Sequence, residues 1–320
     1  MNTTRRMMTL LPLAGLLPAL APATVAPAVL PLWPEGVAAA VRPDAPAARG
    51  DLGPERVDAN GAISNVSVPT LTVVPPAVDR PNGTAVILCP GGGYTYLSWQ
   101  REGLQYAAWL STLGITTFIL KSRLKEWGHP APLQDVLRAV RLVRSRAAEF
   151  GVDPKRIGVM GSSAGGHLAA SASTLWDHPD GRTGAALDRS VSARPDFAVL
   201  VYPVITMMDP AAHAGSRQAL LGTSPGPELL TRMSVERQVT AATPPTLLLH
   251  TQGDKAVPPD NSLLYFQALT RAGVPAELYV FEHGGHGLGM RDGLGNASNW
   301  PKRAQEWLRQ RGLLTKEPAR

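Results

Sequence analysis

The stretch Arg156-Ile157-Gly158-Val159-Met160-Gly161-Ser162-Ser163-Ala164-Gly165-Gly166-His167 decides the fold. A short apolar run ends in G-x-S-x-G and passes at once into residues that can open a helix. That is the pattern of a nucleophile elbow, a strand-to-helix turn that lifts a serine hydroxyl above the edge of a sheet. The turn is tight enough that side chains two residues either side of the serine would collide. Glycine stands at both places, 161 and 165. Ser163 holds the central position, and Ser162 lies at the wrong offset.

Short apolar runs recur on both sides of the elbow. They fall at 85–89, 115–120, 156–160, 197–202, 246–250 and 276–281, with helical stretches at 102–113 and 132–150 between them. Apolar strands alternating with amphipathic helices predict an α/β fold, with a mostly parallel sheet covered on both faces. Before them, the turn signal Asn60-Gly61 opens a β-branched stretch, where Pro69, Pro75 and Pro76 suggest edge strands. Residues 204–244 lie between two strands, where a lid insertion is expected. Residues 24–60, rich in alanine and proline, read as an extended arm or linker. One catalytic domain is then expected over 61–320.

A serine hydroxyl needs a base, and the base needs a group to orient it. With an elbow serine, the acid should follow a late strand and the histidine the strand after that. Asp254 fits the first position, in the loop Thr251-Gln252-Gly253-Asp254. Asp260 competes, but sits where acids commonly cap a helix. His286 fits the second, in His283-Gly284-Gly285-His286-Gly287, with His283 as a rival. His167, one turn past Ser163 on the same helix, reads as a packing residue. Pro90-Gly91-Gly92-Gly93-Tyr94 follows the 85–89 strand. Backbone N–H groups of Gly92 and Gly93, with that of Ala164, are expected to form an oxyanion hole. No G-K-[ST] follows the glycines, which argues against a phosphate loop. Tyr94, Trp99, Met207 and Met208 are possible substrate-pocket residues, with His213 and Trp176 considered beside them.

Composition narrows the function further. The lone cysteine, Cys89, excludes an intrachain disulfide framework and any multi-cysteine metal site. It reads as a small buried hydrophobe. A metal site from His283 and His286 lacks a clear carboxylate set, so no metal and no organic cofactor is expected. The formal charge is +6, and arginine outnumbers lysine 25 to 6. These arginines are scattered, and a nucleic-acid footprint needs clustering. The densest stripe, Arg138, Arg141, Arg144 and Arg146, shares a helix with Val136, Val140, Val143, Ala147 and Phe150. That spacing predicts a buried apolar face and a solvated basic one. No nucleic-acid partner is expected. At the N-terminus, Arg5 and Arg6 precede a mostly apolar stretch and Ala21-Pro22-Ala23. This reads as an export signal over 1–23, with a periplasmic or secreted product. The paired arginines leave the general and twin-arginine routes both open. The apolar stretch, broken by Pro12 and Pro18, is too short for a membrane span.

Over roughly residues 31–315 the chain resembles the α/β-hydrolase superfamily. Within it, the chain is similar to secreted bacterial carbohydrate esterases of the acetylxylan-esterase-like and feruloyl-esterase-like kind. The resemblance rests on Leu32-Trp33-Pro34-Glu35-Gly36, the 89–94 loop, His129-Pro130-Ala131-Pro132-Leu133-Gln134-Asp135, the 156–167 stretch and the Asp254 and His286 loops. It implies an α/β-hydrolase fold and the roles already assigned to Ser163, Asp254, His286, Gly92, Gly93 and Ala164. Two departures stand out. Related enzymes often open the oxyanion loop with histidine, where this chain has Pro90, which removes any loop-anchoring hydrogen bond from that position. Leu120-Lys121-Ser122-Arg123-Leu124 carries serine where relatives commonly have tyrosine.

The expected activity is that of a serine esterase removing short acyl groups, acetyl foremost, from plant polysaccharide or oligosaccharide. The substrate partner is thus an acylated carbohydrate or a small ester. Two alternatives share the fold. One is a peptidase of the prolyl-oligopeptidase type, a group that usually carries a β-propeller for which 320 residues leave no room. The other is a non-catalytic binding protein, a class that typically loses one of the three residues present here.

Overall fold

The computed structural model describes residues 28–36, 44–78 and 81–315, so the expected export signal lies outside the described residues. Eight strands form the main sheet: β1 (Ala28–Pro31), β2 (Thr70–Val74), β3 (Ala85–Cys89), β4 (Thr116–Lys121), β5 (Ile157–Ser162), β6 (Ala198–Val201), β7 (Thr246–Thr251) and β8 (Ala276–Phe281). Their spatial order is β1-β2-β4-β3-β5-β6-β7-β8. From β4 to β8 every pairing is parallel. Only β2 runs against its neighbours, β1 and β4.

The alternation of side chains along each strand explains why both faces are covered. Ile87, Phe118, Leu120, Val159, Leu200 and Leu248 point to one side. Val86, Leu88, Ile119, Met160, Val199 and Leu249 point to the other. A strand apolar on both faces is stable only between two layers. The first side is covered by α2 (Ala131–Ser145), α3 (Ser163–Thr174) and α6 (Asp260–Arg271). The second is covered by α1 (Gln105–Thr112) and α7 (Trp300–Gln310). A wide π-turn, Trp99–Leu104, leads into α1.

Three expectations change. Residues 28–31 of the expected arm are β1 of the main sheet, and Leu32 beside them is fully buried. β2 is not an edge strand, because β1 covers it, and its flanking prolines fall outside the ladder. The arginine stripe is not a solvated face. Arg138 and Arg141 are only 7% and 3% exposed. Arg138 bonds Glu35 at 2.7 Å and lies over the Trp33 ring, while Arg141 meets Asp188 at 3.2 Å. Arg144 reaches Asp196 at 2.9 Å, and Arg146 stays near the surface with Glu149. The partners of the first three come from distant segments, which helical periodicity does not reveal. Below the stripe, fully buried Arg123 and Asp135 pair at 2.8 Å, and Trp33 Nε1 donates to the same carboxylate at 2.8 Å.

Residues 204–244 fold into α4 (Ala214–Leu221), α5 (Pro227–Met233) and a short turn, Val235–Gln238. Met207, Leu220, Leu221, Met233 and Val235 join the core, so this segment is packed against the domain.

Candidate active site

Ser163 stands at the junction of β5 and α3 with a φ of 54°, a left-handed conformation that serine holds only when its surroundings impose it. The glycines of the motif show what imposes it. A Cβ on Gly161 would lie 2.1 Å from the Gly165 carbonyl oxygen, and one on Gly165 would lie 2.1 Å from that of Cys89. Both substitutions are blocked by backbone.

His286 Nε2 lies 2.8 Å from Ser163 Oγ, and His286 Nδ1 lies 2.7 Å from Asp254 Oδ2. An ionised carboxylate can only accept, so Nδ1 donates to it and Nε2 is left to accept the serine hydroxyl. The Asp254 carboxylate is buried and also accepts the N–H groups of Ala256 and Val257, at 3.0 and 2.9 Å. Burial by itself would raise its pKa. Hydrogen bonds from His250, His286 and the Val257 N–H outweigh burial and hold the carboxyl well below its ordinary range.

His250 is a supporting residue that the sequence reading passed over. Its Nε2 donates to the Val257 carbonyl at 2.9 Å, its Nδ1 contacts Ser262 Oγ at 2.7 Å, and Nε2 also lies 3.5 Å from Asp254. The rivals are placed elsewhere. Asp260 opens α6 at the surface, and the exposed His283 is paired with Glu282. His167 is packed, with Nε2 donating to the Met233 carbonyl at 2.8 Å and Nδ1 facing Tyr94 Oη at 2.7 Å.

The glycine loop divides its donors. The Gly91 N–H is taken by Glu102 Oε2 at 2.7 Å. Those of Gly92 and Gly93 have no protein acceptor among the described residues, and both glycines line a cavity with Ser163 and His286. The Ala164 N–H belongs to the first turn of α3, where no intrahelical acceptor exists. Three N–H groups are therefore available around the serine.

Glu102 is the second residue that sequence reasoning missed. It is buried, and its Oε1 accepts the Tyr202 hydroxyl at 2.8 Å while Tyr106 Oη lies 3.0 Å from Tyr202 Oη. The Tyr202 ring meets the His286 ring edge-on at 5.0 Å. Burial pushes the Glu102 carboxyl up, against the hydrogen bonds from Tyr202 and Gly91 and the nearby His286. With Pro90 unable to anchor the loop, Glu102 does so from the π-turn before α1.

The cavity over Ser163 has a volume of about 440 Å³. His213 and Gly215 form one wall, so the 204–244 segment does reach it. The four expected pocket residues do not line it. Tyr94 is buried with its hydroxyl on His167, and Met207 is fully buried in the core. Met208 lies half-buried behind them, its N–H on Thr206 Oγ1. Trp99 borders a separate small cavity, and Trp176 packs on the core. Cys89 is buried at the end of β3, and burial pushes its thiol far up, as befits a small hydrophobe. Among the described residues no group of His, Cys, Asp and Glu could hold a metal ion, and no helix is long and apolar enough to cross a membrane.

Known proteins are similar to this chain. The chain is 34% identical over 216 residues to an acetylxylan esterase of Xylanibacter ruminicola, a match covering 66% of this chain and 42% of that protein. It is 37% identical over 207 residues to endo-1,4-beta-xylanase B of Butyrivibrio fibrisolvens, covering 63% and 32%. The chain thus spans less than half the length of these two relatives. Among solved structures, an acetyl ester-xyloside bifunctional hydrolase from Caldicellulosiruptor lactoaceticus superimposes with a TM-score of 0.77 at 37% identity, covering 92% of this chain and all of that one. The family model BD-FAE matches residues 71–269, from β2 through most of α6. With the elbow, the parallel sheet and its two helical layers all inside or flanking that match, the chain belongs to the BD-FAE family and has the α/β-hydrolase fold.

Proposed function

We propose that this protein is an exported serine esterase that removes short acyl groups, acetyl foremost, from plant polysaccharide or its oligosaccharides. The observation that carries the reading is the hydrogen-bonded relay Ser163–His286–Asp254 beside the two unpartnered N–H groups of Gly92 and Gly93. Ser163 Oγ attacks the ester carbonyl while His286 Nε2 takes its proton. Asp254 holds the imidazole tautomer and stabilises the imidazolium. The carbonyl oxygen becomes an oxyanion held by the N–H groups of Gly92, Gly93 and Ala164. His286 then gives its proton to the sugar oxygen as that oxygen's bond to the acyl carbon breaks, which leaves an acyl-enzyme. Water deprotonated by His286 attacks the acyl-serine ester, and the proton passes to Ser163 Oγ as the carboxylic acid leaves.

The acetyl and xylan preference is supported by the names of the relatives, an acetylxylan esterase and an acetyl ester-xyloside hydrolase. Export is supported by the N-terminal sequence alone, and sequencing the N-terminus of protein recovered from the periplasm or medium tests it. For the reaction, Ser163→Ala is assayed with p-nitrophenyl acetate. Loss of about 10⁴-fold or more in kcat is expected, whereas activity near that of the wild type overturns the reading. Acetylated xylan compared with methyl ferulate then reports the acyl preference.

A further inference from the structure

We propose that a polar cleft next to the catalytic cavity binds the sugar main chain that carries the ester, with Tyr96 as the platform joining the two. The proposal rests on the esterase reading above and names the part of the substrate that the catalytic cavity does not hold.

A second, small sheet builds the cleft. Its strands are Arg56–Val57, Ile63–Ser64 and Tyr96–Leu97, all antiparallel. Alternation along the last strand turns Leu97 inward, into a cluster with Ile63, Val66 and Leu124. The same alternation turns Tyr96 outward, and it is 45% exposed, unusual for an aromatic residue so close to a catalytic serine. Its backbone N–H bonds the Gly92 carbonyl at 3.2 Å, which ties this ring to the glycine loop.

Tyr96 lines three adjoining cavities. One is the cavity over Ser163 and His286. The second is the cleft itself, about 590 Å³, and the third, about 180 Å³, lies between Asp58, Trp99 and Arg101. Thr95 also borders the first two, and Asp58 the second and third. A chain whose ester sits at Ser163 therefore reaches the cleft past Thr95 and Tyr96, the residues that the two cavities share.

The lining indicates which chemistry fits. Arg56, Lys125, Asp58 and Glu126 line the cleft together with Ser64 and Asn65. Glu126 Oε2 is buried without a hydrogen-bond partner. Charges of both signs beside hydroxyl and amide groups suit neither a phosphate nor a bare cation, each of which calls for one sign. They suit a neutral polyhydroxyl ligand, whose hydroxyls donate and accept in turn, and whose C–H face packs on an exposed aromatic ring. A small aryl ester fits the catalytic cavity and has no need of the cleft.

The test measures kcat/KM on acetylated xylo-oligosaccharides of about six sugars and on p-nitrophenyl acetate, and takes their ratio. Tyr96→Ala is expected to lower the ratio about tenfold, the size of one lost aromatic contact. Glu126→Gln, further along the cleft and away from the glycine loop, is expected to lower it several-fold. Misfolding would depress both activities and leave the ratio alone, so two variants guard the result. A ratio unchanged in both, with p-nitrophenyl acetate still hydrolysed by both variants at rates near that of the wild type, overturns the cleft and leaves the esterase standing. A wild type that cleaves neither ester overturns the esterase reading and the cleft with it. Titration of unacetylated xylohexaose into Ser163→Ala provides a direct readout: binding that weakens in Ser163→Ala/Tyr96→Ala supports the cleft, and binding unaffected by the second substitution counts against it.

Discussion

Glu102→Gln isolates the hydrogen bond that positions the oxyanion loop. The carboxylate receives the Gly91 N–H at 2.7 Å and the Tyr202 hydroxyl at 2.8 Å. Hydrogen bonds to a charged acceptor are worth about 1.5–3 kcal/mol each. Glutamine keeps the shape, but one oxygen becomes an NH2 group. Turned one way, the NH2 group faces the Gly91 N–H, donor against donor, and the loop loses its anchor, so that the next two N–H groups drift from the oxyanion. Turned the other way, it donates to the Tyr202 hydroxyl, which can also accept, and the Gly91 bond is kept but without the charge that strengthens it. Complete loss of one such donor costs about 2.7–4 kcal/mol, or 10²–10³ in kcat, which sets the ceiling. Because glutamine retains one acceptor, the expected fall in kcat on p-nitrophenyl acetate is about 10- to 100-fold. KM should move by less than about twofold, since the interaction strengthens only as charge develops on the carbonyl oxygen. Tyr202→Phe, which spares the Gly91 contact, should cost less than about tenfold by the same reasoning. Circular dichroism confirms that each variant folds. A folded Glu102→Gln with kcat within a factor of two of the wild type refutes Glu102 as a positioning residue.

Two further predictions concern stability. Asp135→Asn leaves Arg123 buried without its counter-charge and should lower the unfolding free energy by about 3–5 kcal/mol in denaturant titration; a change below about 1 kcal/mol would contradict the buried pair. His167 is buried, and burial together with the nearby His129 lowers its pKa to about 4, against the hydrogen bond to Met233. The unfolded chain then binds a proton near pH 6.5 that the folded chain refuses until about pH 4, so its stabilising contribution is complete above pH 6.5 and is lost as pH falls to 4. The shift corresponds to about 3 kcal/mol. Thermal melts over that window should fall more steeply for the wild type than for His167→Gln, and parallel slopes would reject the assignment.

The parts of this molecule that are local in sequence were legible. The elbow is a strand, a turn and a helix within twelve residues, and the loops after β7 and β8 carry Asp254 and His286, with Asp260 and His283 as rivals that the geometry places elsewhere. The parts made by distant contact were not. Glu102 is readable as an anchor only once the π-turn brings it under Gly91. Arg138 and Arg141 have polar spacing, but Glu35 and Asp188 lie 103 and 47 residues away. Met207 and Met208 sit on a segment that reaches the cavity, yet His213 and Gly215 face it, because Met207 is drawn into the core beside Leu220 and Met233. Position between two strands marks a segment as near the site and leaves open which of its side chains turn inward.

The contact of Gly165 with the Cys89 carbonyl has a consequence for how the enzyme can be altered. The proposed nucleophile and oxyanion donors stand just past the ends of the paired strands β5 and β3, where backbone meets backbone with no side chain between them to trim or enlarge. The base is mounted differently, on a glycine-bearing surface loop with His286 about a quarter exposed. A library aimed at new esters should leave 89–93 and 161–165 untouched. Its diversity belongs on the rim around Tyr96 and in the 283–289 loop with His286 itself kept, where a changed side chain can alter fit without moving the frame.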